Sequence, residues 1–129
     1  MTKNRTGEII VPKQTIVQPH ELIVATILSW TGFKVEFLPV KQTKTADIKF
    51  MGKEWEIKSP KGKSSRIIEN NMRLALKQSD NIIIDLSRIK LPEQKCITTI
   101  RNRAKKLGRS KKVIIITKSK QIIRLYGIM

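Results

Sequence analysis

Asp47, Glu56 and Lys58 are the residues of this chain best placed to do chemistry together. They lie in one stretch, "ADIKFMGKEWEIKSPKG", where apolar and charged positions alternate on either side of Gly52. Period-two alternation marks half-buried strands, and the glycine marks a tight turn between them. With Gly52-Lys53 as a two-residue turn of type II′, Met51 faces Glu54, Lys49 faces Glu56 and Asp47 faces Lys58. Ile48, Phe50, Trp55 and Ile57 then share the buried face, and Asp47, Glu56 and Lys58 share the other. Direct cross-strand partners have Cβ atoms about 4.5–5.5 Å apart and diagonal ones about 7–8 Å. Two carboxylates at that separation suit a hard divalent cation held by oxygens. A lysine beside them can orient a water or meet the charge that builds on a phosphate.

The competing reading is a solvated hairpin face laced with cross-strand ion pairs. Three features favour a site. The later strands read as buried on both faces, so the polar groups of this sheet need a reason to be covered. Glu21 lies one and two helical turns before Ala25 and Leu28, on their apolar face, as a carboxylate in need of a partner. The "SPKGKSS" loop then brings Lys61 and Lys63 to the same end of the sheet.

The elements that must hold these residues follow from periodicity and punctuation. Residues 1–13 read as a flexible N-terminal arm with a short strand at Glu8–Val11, and residues 14–129 as a single domain. Pro19 opens a helix, "PHELIVATILSWTG", that Gly32 ends. "FKVEFL" is a strand, and "ADIKFM" and "KEWEIK" form the hairpin. Ser64 or Ser65 caps a helix that runs to about Ser79. "NIIIDL" and "KKVIIIT" are strands covered on both faces, with the helix "PEQKCITTIRNRAKKLG" between them and the edge strand "QIIRLYG" last. The expected fold class is α/β, a three-layer-like sandwich with a mixed central sheet flanked by helices.

Charge narrows the partners. The 27 Lys and Arg outnumber the 10 Asp and Glu, giving +17. Such an excess calls for a polyanion, with nucleic acid first. No helix is apolar on one side and Lys-rich on the other, so a membrane surface is not expected. No apolar run reaches about 18 residues, and the first ten residues have no signal-type apolar core. On the helix after Ser65, Arg66, Asn70, Arg73 and Lys77 recur at helical spacing as one polar stripe. Ile68, Met72, Ala75 and Leu76 make a separate core stripe. The polar stripe starts beside the loop after Lys58, which suits a groove that tracks a phosphate backbone. A second basic run, from Arg101 to Lys112, is expected to grip a distant part of a large RNA. Aromatics are only 5% of the chain, so shape and phosphate recognition is favoured over base stacking.

Other chemistries fit less well. "GKS" at Gly62–Ser64 lacks the glycine a phosphate-binding loop needs five residues earlier, where Ile57 stands. His20 is the only histidine, so two-histidine RNA cleavage is excluded, and a one-histidine route through His20 and Glu21 is a minor alternative. The single cysteine, Cys96, excludes an internal disulfide and falls on the apolar side of its helix. Asp85 ends a buried strand, where an ion pair to a helix or loop is expected.

Asp47 followed by Glu56-Ile57-Lys58 resembles the D…ExK signature of the PD-(D/E)XK nuclease superfamily, with Ala46 in place of the proline. Members carry an acidic residue on a preceding helix, where Glu21 sits. "GKEWEIKSPKG" followed by "IIENNMRLALKQSDNIIIDL" is similar to the C-terminal tRNA-nuclease domains of contact-dependent growth-inhibition (CdiA-type) toxins, over roughly residues 18–126. The resemblance implies a restriction-endonuclease-like core and metal-dependent hydrolysis of phosphodiester bonds in structured RNA, with tRNA favoured over DNA. It implies a divalent cation, Mg²⁺ first with Mn²⁺ or Zn²⁺ as alternatives. Its ligands would be Asp47, Glu56 and the Ile57 carbonyl, with Glu21 direct or through water. Lys58 would orient or deprotonate the attacking water, and Ser59 would contact phosphate. It also implies a small acidic immunity protein and action in the cytoplasm of a target cell. Both a standalone relative and a domain excised from a large toxin fit it. A DNA-cleaving nuclease of resolvase or restriction type and a non-catalytic nucleic-acid-binding module are the alternatives.

Overall fold

Runs such as Ile82–Ile84 and Val113–Ile116 leave no polar face for water, so they belong inside a sheet covered on both sides. The computed structural model describes residues 6–39, 46–108 and 111–126 and places both runs there. Its seven strands form one mixed sheet in chain order. They are β1 (Ile9–Ile10), β2 (Val35–Phe37), β3 (Ile48–Phe50), β4 (Lys53–Lys58), β5 (Asn81–Asp85), β6 (Lys112–Ile116) and β7 (Ile122–Tyr126). Three helices join them among the described residues: α1 (Pro19–Ser29), α2 (Ile67–Gln78) and α3 (Glu93–Ala104). The β4–β5–β6 segment is parallel, and the β2–β3–β4 hairpins and β7 are antiparallel.

The alternation of side chains splits the core into two layers. Ile83, Ile114 and Ile116 face α1, packing with Leu28, Phe50 and Trp55. Ile82, Ile84, Val113 and Ile115 face α2 and α3, packing with Met72, Cys96 and Ile100. The mixed sheet between helical layers is therefore as expected, and β7 lies at its edge.

The short strand expected within Glu8–Val11 is present as β1, and the turn of the hairpin needs correction. Ile9–Ile10 pairs with β2 in parallel, and the Gly7 N–H bonds the Ser29 carbonyl. Residues 1–5 of the expected arm lie outside the described residues. The hairpin turn is Met51-Gly52, not Gly52-Lys53: Phe50 pairs with Lys53, Lys49 with Glu54 and Ile48 with Trp55. Met51 and Gly52 both have positive φ, 54° and 75°, the left-handed pair of a type I′ turn. This register differs from the expected one by two positions, so each side chain keeps its face. Its consequence is that Asp47, just beyond the ladder, bonds Trp55 and Ile57 and does not face Lys58 as a cross-strand partner.

Candidate active site

β4 changes partners halfway along. Lys53–Trp55 pairs with β3, whereas Glu56–Lys58 pairs with β5. Asp47 sits on the bend just before β3. Its N–H still bonds the Trp55 carbonyl at 2.9 Å. Its carboxylate Oδ2 then takes the Ile57 N–H at 2.7 Å, the donor that a longer β3 would have used. The place where the two strands part is thus closed by a side chain, and that side chain lies against Glu56.

Glu56 and Lys58 are in register with Ile82 and Ile84, so they project toward the α2–α3 layer. Glu56 is 6% exposed. Its Oε2 is 3.5 Å from the Lys58 Nζ, and its Oε1 is buried with no hydrogen-bond partner. Burial, then the adjacent Asp47 charge, pushes the Glu56 carboxyl up to about 7, against the opposing pull of Lys58. Asp47 is also displaced upward, again mainly by burial, while the Ile57 N–H works the other way. Near neutrality the Glu56 carboxyl is therefore partly protonated when no cation is bound.

Glu21 is not brought into this pair. It stands on α1, in the opposite layer, and its Oε1 accepts the Gln18 N–H at 3.0 Å to close the first turn of the helix. It is half-buried, not buried as expected. It does share with Asp47, Thr15, Phe37 and Leu38 the wall of a cavity of about 350 Å³, and its charge raises both Asp47 and Glu56. Among the described residues no three acidic, histidine or cysteine side chains converge closely enough to form a cation cage by themselves. The fit to a divalent cation accordingly rests on the Asp47–Glu56 pair, where an orphaned buried oxygen lacks a partner.

Several neighbours differ from their expected roles. Ser59 is 8% exposed, and its hydroxyl donates to Asp85 Oδ2 at 2.9 Å, so that hydroxyl is not directed at a phosphate. Asp85 holds no ion pair among the described residues. It accepts from Ser59 and from the Ser87 N–H and hydroxyl, tying the end of β4 to that of β5. Arg88 reinforces this knot by donating to the Ser59 carbonyl. Cys96, as expected, is a core residue, and its thiol is pushed up by burial, which does not suit a nucleophile. No hydrogen bond or ion pair joins His20 to Asp47, Glu56 or Lys58 among the described residues.

The binding residues divide in two. Lys61 and Lys63 are exposed on the loop after β4, which the Lys90 N–H pins at the Gly62 carbonyl. Arg66, Asn70, Arg73 and Lys77 are exposed and line a groove of about 460 Å³ against α3. Arg103 and Lys106, two members of the second basic run, line the same groove. Arg109 lies outside the described residues.

Comparison with known proteins places this architecture. Residues 44–122 match the family model of the contact-dependent growth inhibition CdiA C-terminal domain, and the chain belongs to that family. It is thus a toxin domain of contact-dependent growth inhibition. The fold is similar to a chain of the CdiA-CT/CdiI toxin and immunity complex from Burkholderia pseudomallei, with a TM-score of 0.66 and 20% identity. That similarity covers 92% of this chain and 99% of the other. No curated protein matches the chain. None of the helices described is long and apolar enough to cross a membrane.

Proposed function

We propose that this domain is a metal-dependent nuclease of PD-(D/E)XK type that hydrolyses phosphodiester bonds of a structured RNA, with tRNA the favoured substrate. The observation that carries the reading is buried Glu56, with one orphaned oxygen, against half-buried Asp47 and beside Lys58, on a chain of charge +17. Setting a buried carboxylate against a second one costs stability unless a cation joins them. A divalent cation held there by Asp47, Glu56 and the Ile57 carbonyl, with Glu21 acting through water, would polarise the phosphate and acidify a bound water. Lys58, one-quarter exposed at the end of β4, orients the attacking water or meets the charge on the phosphate. The Asp85–Ser59 knot fixes the backbone just after Lys58. The exposed basic stripe on α2 holds the substrate by its phosphates.

A small acidic immunity protein completes the proposal, because a basic nuclease must be restrained in the cell that makes it; the similar structure from Burkholderia pseudomallei is itself a toxin and immunity complex. The test is incubation with total tRNA and with plasmid DNA, each with Mg²⁺ and with EDTA. Cleavage of tRNA that EDTA stops is the expected result. Cleavage of plasmid alone would reassign the substrate to DNA, and full activity in EDTA would sink the metal site.

A further inference from the structure

The groove between α2 and α3 holds more than the α2 stripe. Its cations are Arg66, Arg73 and Lys77 from the α2 side and Arg103 and Lys106 from the α3 side. Its apolar surface is Met72, Leu76 and Leu107. It contains one carboxylate, Glu69, which is paired with Arg103 and lies 3.8 Å from the Arg66 Nε. Those two guanidinium groups hold the Glu69 carboxyl below its ordinary value. The free protein thus keeps an internal anion where its cations converge.

The groove is also aimed at the candidate site. Ser79, just past the end of α2, donates to the carbonyl of Glu54 near the start of β4, so α2 runs back along β4. Its Arg66 end therefore lies toward the Lys58 end of that strand. From Arg66 to Lys77 the stripe extends about 16 Å at 1.5 Å per residue.

We propose that this groove binds the phosphate backbone of a nucleic acid, that Arg103 and Lys106 belong to the site, and that Glu69 stands in for a phosphate until one displaces it. The inference rests on the nuclease reading and extends it to α3. An open row of cations leading to the carboxylates suits a strand better than a protein partner. The apolar strip gives sugars and base edges a surface that needs no hydration.

The test is binding of labelled total tRNA in EDTA, where the proposed reaction is off, at salt concentrations from 50 to 200 mM. Lys106 has no side-chain partner among the described residues, so Lys106→Ala tests the site without disturbing the fold. Removing one phosphate contact lowers the slope of log K against log salt by about 0.7–0.9, shrinking the affinity loss across this range by about threefold. Arg103→Ala with Lys106→Ala should roughly double the slope change. Glu69→Gln should tighten binding and steepen the slope, an effect that loss of a helix–helix tie alone would not produce. Variants that all bind with the parent's affinity and slope overturn the proposal and leave the groove to an acidic protein surface. In that case cleavage that still depends on Asp47 leaves the nuclease reading standing. A parent that binds neither tRNA nor DNA overturns both.

Discussion

Replacing Glu56 by Gln should stabilise the metal-free protein at pH 8 and have almost no effect near pH 4.5. Burial and Asp47 raise the Glu56 carboxyl from 4.5 to about 7. Below about pH 4.5 the group is protonated in both folded and unfolded chains and contributes nothing. Between 4.5 and about 7 the folded state holds a proton that the unfolded chain has released, so stability falls as pH rises. Above about 7 both states are ionised and the full penalty remains. At about 1.4 kcal/mol for each tenfold change in proton affinity, that penalty is about 3 kcal/mol. Asp47, displaced in the same direction, adds to the trend in the parent. Urea unfolding in EDTA at pH 5, 6, 7 and 8 measures it, because the difference between parent and Glu56→Gln cancels the other titrating groups to first order. Saturating Mg²⁺ or Mn²⁺ at pH 8 should then stabilise the parent and leave the variant unmoved. A difference that stays flat from pH 5 to pH 8 would refute the buried, frustrated carboxylate. So would a variant less stable than the parent at pH 8.

Asp47→Asn keeps an acceptor for the Ile57 N–H, so it should abolish metal-dependent cleavage with the fold intact. Asp47→Ala should add an unfolding cost of about 1–3 kcal/mol, seen in urea melts. Lys58→Ala should stop cleavage but retain the cation in a calorimetric titration, whereas Glu21→Ala should slow cleavage less and lose about 1 kcal/mol with its helix cap; equal rates in all these variants would favour a merely ion-paired face. Gly52→Ala should cost about 1–2 kcal/mol because Gly52 has φ 75°, and an unchanged melt would argue against the Met51-Gly52 turn. Cytoplasmic expression of the parent chain should arrest growth and that of Asp47→Asn should not, as colony counts will show; a harmless parent would count against the toxin mechanism.

Much of this protein is written in its local pattern. The buried runs Ile82–Ile84 and Val113–Ile116, the helix start at Pro19 and the alternation in Lys53–Lys58 each state their element within a few residues, because one period excludes the other. The shared face of Glu56 and Lys58 survived even a wrong turn position, since a register change of two preserves the pleat. The pairing itself did not, because a positive φ at Met51 is not visible in a residue that rarely adopts it. The Ser59–Asp85 and Arg103–Glu69 contacts join residues 26 and 34 positions apart, and Glu21 takes a capping role that competes with the expected one. Periodicity shows which face a side chain takes, but not which distant face it meets. The sequence by itself determined the elements, their order, the covered sheet and the three residues proposed to do the chemistry. Only the tertiary structure decided that β4 changes partner at Glu56 and leaves one oxygen buried and unpaired. It alone brought Arg103 and Lys106 of the second basic run into one groove with the α2 stripe, because packing helices side by side is set by the whole core and not by either helix.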